Sequence, residues 1–264
     1  MSFDPSAQIH PSAVIEPGAV IGAECRIGPF CLIGAQVVLG RGVELKSHVV
    51  VTGRTEIGDG TTVFPFTTLG EIPQDLKFRG EETRLVIGAR NRIRENVTMN
   101  VGTEGGGGIT RVGDDGLFMA GSHVAHDCQI GNRVILVNNA ALAGHCVLED
   151  EVIVGGLSGV HQFVRIGRGA MIGAVTMVTA DVIPHGLVQG PRGTLDGLNL
   201  VGLKRRGAAR AEIAALRDLL DALGHGTFRD TARAEAEKAG DSALVREVLE
   251  FILGPSDRSF LTPR

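Results

Sequence analysis

An apolar side chain recurs at every sixth position through most of this chain, and no other feature restricts its fold as tightly. The series runs Ile9, Ile15, Ile21, Ile27, Ile33, Leu39, Leu45, Val51, Ile57, Val63 and Leu69. It resumes at Ile87, Ile93 and Met99, shifts once, and continues from Val112 and Phe118 through Val124, Leu142 and Val160 to Val178. Four positions after most members stands a small or β-branched residue, as at Ala19, Cys25, Cys31, Val37, Thr55, Thr61 and Thr67. A helix would repeat its apolar face every 3.6 residues, so helical repeats are excluded. Short parallel strands meeting at tight corners do fit a period of six. The large side chain fills a face and the small one fills the corner. Three such hexads close a triangular coil, so residues i and i+18 stack about 4.8 Å apart.

Composition agrees with a thin, regular core: 38 Gly, 10 Phe, no Trp and no Tyr among 264 residues leave aliphatic and small side chains to fill it. The pattern resembles the hexapeptide-repeat proteins that fold as a left-handed parallel β-helix. The left hand comes with that resemblance, since βαβ-type crossovers are ordinarily right-handed. We expect an all-β solenoid, a left-handed parallel β-helix over residues 1–190, followed by a C-terminal α-helical domain over 191–264. Two gaps in the register, about 71–84 and 102–110, predict loop excursions, the second holding the run Gly105 to Gly108. Such loops on a rigid scaffold are usual places for binding residues. From about Gly202 the apolar spacing turns helical, with Ile213, Leu216, Leu220 and Leu223 on one face and Leu244, Val248, Leu249 and Ile252 on another. That appendage would cap the solenoid.

A formal charge of −4 and a pI near 6.1 give no footprint for nucleic acid or an anionic membrane. The N-terminus lacks a basic segment followed by an apolar run. No stretch approaches the ~18 apolar residues of a membrane span. These features predict a cytoplasmic protein with no membrane span and no nucleic-acid partner.

Cys25, Cys31, Cys128 and Cys146 all occupy the small inward position of their hexads, so they read as core residues rather than ligands or disulfides. The histidines differ. His123, His126, His145 and His161 avoid the inward positions and should face outward. Counting by 18 places Gly144 and then Gln162 over His126, and His145 over Asp127, with His123 one corner away. A ridge of this kind suits two chemistries. Clustered imidazoles could hold zinc and activate water, as in the hexapeptide-repeat carbonic anhydrases. Alternatively, one neutral imidazole could serve as general base for acyl transfer to a hydroxyl or amine.

The local strings are more specific. His123-Val124-Ala125-His126-Asp127-Cys128, Leu142-Ala143-Gly144-His145 and Val160-His161-Gln162-Phe163 resemble the UDP-N-acetylglucosamine O-acyltransferase family of lipid A biosynthesis. Ile27-Gly28-Pro29-Phe30-Cys31, Gln74-Asp75-Leu76-Lys77 and Gly202-Leu203-Lys204-Arg205-Arg206-Gly207 extend the likeness along the chain. The resemblance implies transfer of a (3-hydroxy)acyl chain from an acyl carrier protein thioester to the 3-hydroxyl of UDP-N-acetylglucosamine. It implies a homotrimer with sites between subunits, no metal, and no cofactor beyond the phosphopantetheine on the acyl carrier protein.

In the same terms His126 is the general base, Asp127 sets its tautomer and Gly144 N–H is the oxyanion donor. Asp75, Lys77, His123 and His145 line the sugar cleft. Gln74, His161 and Gln162 lie near the nucleotide or the pantetheine arm, and Asn199 and Arg205 at the nucleotide end. Gly173 and Ala174 fall where the family limits acyl length, and Ala174 in place of glycine implies some shortening. The sequence departs from the family at Val201, where a glutamate can stand near the ribose.

Overall fold

The computed structural model describes residues 2–238, 240–256 and 258–263. Strands of mostly two residues follow one another every six positions from Ser2–Phe3 to Met177–Val178. They sort in rotation onto three parallel sheets of nine strands each, which are the three faces of a prism, and a later hairpin extends the second sheet to eleven. The ladder carries the expected register. His123 pairs with Ala141 and Val124 with Leu142, and Ala141 in turn pairs with Gly159, each 18 positions on. The architecture is a left-handed parallel β-helix with a helical C-terminus.

The physical reason lies in the alternation across each hexad. The recurrent aliphatics Ile33, Leu45, Ile93, Leu136 and Leu142 are fully buried along the prism axis, as is Phe118 in their series. The corner positions Cys25, Val37, Val49, Thr61 and Cys146 are buried beside them. Burying one such aliphatic contributes about 1.5–3 kcal/mol, so every coil is stabilised by its own three core residues. All four cysteines are free and buried. Cys128 donates its thiol hydrogen to the Ala143 carbonyl at 3.2 Å, and the neighbouring Cys146 side chain together with burial pushes its thiol well up from the ordinary range. It is an inert core residue.

Two excursions leave the prism where the repeat breaks. Thr68 pairs with Thr98, 30 positions later instead of 18, and the additional residues form the loop between Glu71 and Arg84. Thr98 pairs with His123, 25 positions later, with residues 101–108 looping out through a short 3₁₀ turn at Glu104–Gly106. Both loops leave from the same corner of the prism, the one that follows the third face.

The C-terminal end differs from a plain helical cap. After Met177–Val178, Gly186–Gln189 adds to the second face in parallel, and Thr194–Leu198 pairs with it antiparallel. This hairpin closes the open edge of that sheet, and strand therefore continues past residue 190. Four helices follow: α1 (Leu200–Arg205), α2 (Arg210–Leu223), α3 (Phe228–Lys238) and α4 (Ala243–Leu253). The buried face of α2 is Ile213, Leu216, Leu219 and Leu223, with Leu220 half-buried at its margin. α4 buries Val248, Leu249, Phe251 and Ile252, while Leu244 is half-buried. Arg165 ties the helices to the solenoid. Its Nε donates to the buried Asp181 at 2.8 Å and its guanidinium lies 4.5 Å from the Phe251 ring centroid.

Candidate active site

Side chains at a prism corner escape the strict in-and-out alternation of a strand, and this brings the chemistry together. His126 and Asp127 occupy the turn after the strand His123–Val124, and Gly144 and His145 occupy the same turn one coil on. The second residue of each such turn is left-handed: Asp127, His145 and Phe163 have φ of 61°, 63° and 64°. They form one column at 18-residue spacing. The first residues, His126, Gly144 and Gln162, form a second column beside it.

Within these columns, His126 Nδ1 lies 2.8 Å from Asp127 Oδ2. A carboxylate only accepts, so Nδ1 carries the proton and Nε2 is left with its lone pair. The Asp127 side chain is wholly buried. Its Oδ1 accepts from Thr103 N–H at 2.8 Å and its Oδ2 from the Thr103 hydroxyl at 2.6 Å. On the other edge of the imidazole stands the Gly144 backbone, so close that a Cβ there would come within 2.5 Å of His126 Cε1 and 2.7 Å of Nε2. Gly144 N–H has no hydrogen-bond partner among the described residues.

His145 stacks on Phe163, ring centroids 4.3 Å apart and planes 7° apart, and meets His126 edge-on at 5.0 Å. Burial holds the His145 imidazole below its ordinary pKa against the pull of Asp127. His123 does not sit one corner away. It lies on the same strand as Val124, with Nδ1 2.7 Å from the Thr98 hydroxyl, and burial, then the neighbouring His126, lower its pKa. Both rings therefore stay neutral near pH 7.

The excursions complete the site. A cleft of about 280 Å³ is lined by Asp75, Lys77, Phe78 and Glu81 from the first, Thr103 and Gly105 from the second, and His145 and Phe163 from the ridge. Asp75 is half-buried and its Oδ1 accepts from Lys77 N–H at 2.9 Å, while the Lys77 side chain is exposed. A larger groove of about 830 Å³ runs over the N-terminal coils, between Pro11, Pro29 and Pro65, and the ridge histidines lie away from it.

The remaining candidates are outside this cleft in a single chain. Gln74 and Gln162 are exposed. His161 is exposed too, with Nδ1 2.7 Å from Arg258 Nη2. Asn199 caps α1, its Oδ1 accepting from Gly202 N–H at 2.9 Å and its Nδ2 donating to the Gly169 carbonyl at 3.0 Å. Arg205 and Val201 are exposed on α1. Gly173 and Ala174 occupy the corner preceding the third face, three coils beyond that of His126 or about 14 Å along the axis. Of the residues that matter here, Thr103 and Phe78 were not singled out from sequence, and Gly106 and Phe163 stood there only within a glycine run and a motif string, with no role of their own. The 18-residue count that placed His145 over Asp127 also reaches Phe163.

His126, Asp127 and His145 offer ligand atoms within 4.8 Å of one another, so by spacing alone they could hold a metal ion. The Asp127 carboxylate, however, is already engaged by three donors.

Residues 181–261 match the family described as Udp N-acetylglucosamine O-acyltransferase, Domain 2, and residues 5–35 match the bacterial transferase hexapeptide repeat. An acyl-[acyl-carrier-protein]--UDP-N-acetylglucosamine O-acyltransferase of Paracoccus denitrificans is 84% identical over 201 residues, 76% of this chain and 77% of that protein. The chain belongs to the UDP-N-acetylglucosamine O-acyltransferase family. A further member, from Rhizobium johnstonii, is 51% identical over 84% of this chain and 82% of its own length. A crystal structure of a UDP-N-acetylglucosamine acyltransferase superposes with a TM-score of 0.94 at 40% identity, covering 97% of this chain and 99% of the other. The Campylobacter jejuni enzyme gives 0.91 at 38% identity, over 97% and 100%. These relatives lend no support to the zinc hydratase reading of the histidine ridge. Among the described residues no helix is long and apolar enough to cross a membrane.

Proposed function

We propose that this acyltransferase moves an acyl chain from acyl carrier protein to the 3-hydroxyl of UDP-N-acetylglucosamine, opening lipid A synthesis, with His126 as general base. The observation that carries the mechanism is the imidazole fixed between Asp127 and the Gly144 backbone. With Nδ1–H bonded to Asp127, Nε2 removes the hydroxyl proton as the sugar oxygen attacks the thioester carbonyl. The new C–O bond leaves negative charge on the carbonyl oxygen, and the free Gly144 N–H is the donor for it. Collapse breaks the C–S bond, and the imidazolium returns its proton from Nε2 to the departing pantetheine thiolate. A neutral His145, with Asp75 and Lys77 from the loop, would hold the sugar; we assign His123, which stands on the strand before His126 and outside the lining of the cleft, to the same sugar end.

We assign Gln74, His161, Gln162, Asn199 and Arg205 to the nucleotide and pantetheine end, Arg205 offering a guanidinium to a diphosphate. Since these lie outside the cleft of one chain, the reading includes a homotrimer in which a neighbouring subunit completes each site. It also places the enzyme in the cytoplasm, where acyl carrier protein and nucleotide sugar are soluble. No metal takes part. Chelator-treated enzyme should transfer acyl groups from acyl carrier protein thioesters to UDP-N-acetylglucosamine at the untreated rate. About one zinc per chain, with activity lost to chelator and restored by zinc, would overturn this.

The same assay, run with thioesters of several lengths, tests the acyl ruler. Ala174 sits on the flank of the third face, along which a chain leaving His126 would run. Ala174→Gly removes one methyl, about 0.8 kcal/mol of burial, and should shift preference several-fold toward the longer of two competing donors. An unchanged ratio would place the ruler elsewhere.

A further inference from the structure

We propose that Thr103, on the second excursion, is a positioning residue that holds the Asp127 carboxylate in the one orientation that fixes the His126 tautomer. The proposal rests on His126 being the base. Asp127 is presented from a left-handed corner, and its backbone N–H is already anchored on the Thr110 hydroxyl at 2.8 Å. The rotation of its carboxylate about the last side-chain bond remains to be set. That torsion is intrinsically broad for aspartate. Two donors on one residue set it: Thr103 N–H to Oδ1 at 2.8 Å and the Thr103 hydroxyl to Oδ2 at 2.6 Å.

Oδ2 is the same oxygen that receives His126 Nδ1–H. It also lies 3.8 Å from His145 Nδ1, so a carboxylate released from the hydroxyl could turn toward the wrong imidazole. The loop reaches the carboxylate because it carries glycines. A Cβ at Gly106 would fall 2.1 Å from Asp127 Cγ. The loop backbone thus covers the carboxylate and excludes water from it.

Thr103→Val keeps the shape and the backbone donor and removes only the hydroxyl. Hydrogen bonds to charged groups are worth enough that their loss from a catalytic pair lowers kcat by about 10- to 100-fold. We expect that loss with the UDP-N-acetylglucosamine KM near wild type, and recovery to within about threefold in Thr103→Ser. Long-range ¹⁵N–¹H spectra should show His126 as a single Nδ1–H tautomer in wild type and as a mixture in Thr103→Val. Wild-type kcat with an unchanged tautomer in Thr103→Val overturns the proposal. If the valine variant does not fold, Gly106→Ala, which displaces the same loop, must show the same fall in kcat and the same mixed tautomer. Should His126→Ala retain turnover, the base assignment fails, and the tautomer spectra still decide whether Thr103 sets the pair.

Discussion

His126→Ala should lower kcat by about 10²- to 10⁴-fold while KM for both substrates stays near wild type. The separation of the two parameters follows from where the ring stands. Its Nε2 gains a proton only as the sugar oxygen attacks, so the interaction is stronger in the transition state than in the bound substrate. Folding should survive, since the imidazole lies outside the prism and contributes nothing to the aliphatic core. Asp127 would lose one donor but keep both from Thr103, so the substitution leaves no bare buried charge. Residual catalysis would come from Gly144 N–H and from bringing thioester and hydroxyl together. His145→Ala and His161→Ala, as changes to substrate contacts, should raise KM as well. Turnover of purified variants, with melting curves to confirm the fold, is the measurement. A His126→Ala enzyme that kept more than about a tenth of wild-type kcat would end the general-base assignment.

The fold was legible because one period serves both the chain and the core. A residue such as Leu142 states its face, its coil and its neighbours Val124 and Val160 by position alone. The same count brought His126 under Gly144. Asp127 was harder, because adjacent strand residues point to opposite sides. The contact exists because both residues occupy a corner, with Asp127 at positive φ. Thr103 was not legible. A loop that leaves the period has no register to count, and the only sign that it approached the site was its glycine run. The hairpin Gly186–Gln189 and Thr194–Leu198 was missed for a similar reason, since antiparallel pairing breaks the hexad phase. On α2, Leu219 and Leu220 are adjacent apolar residues at the edge of one stripe. Which of them is buried depends on the surface the helix packs against, and that surface is not written in the helix.

Gly144→Ala should cost about 10²-fold in kcat, although glycine and alanine share every backbone donor. Gly144 is not in the left-handed region, so alanine meets no backbone penalty there. Its N–H would still point at the developing oxyanion. The obstacle is the added methyl, which would stand 2.5 Å from His126 Cε1, 2.7 Å from Nε2 and 3.1 Å from Nδ1. Those are the atoms of a ring pinned by its bond to Asp127, so the ring cannot yield without surrendering that bond. A reacting group displaced by about 1 Å loses about two orders of magnitude in rate. Because the methyl acts through His126, the two substitutions should not add. In His126→Ala the ring is gone and the methyl has room, so the double variant should turn over as slowly as His126→Ala and no slower. Multiplied losses would mean that Gly144→Ala damages the oxyanion donor or the coil itself. Wild-type turnover in Gly144→Ala would mean that His126 need not stand where the structure places it.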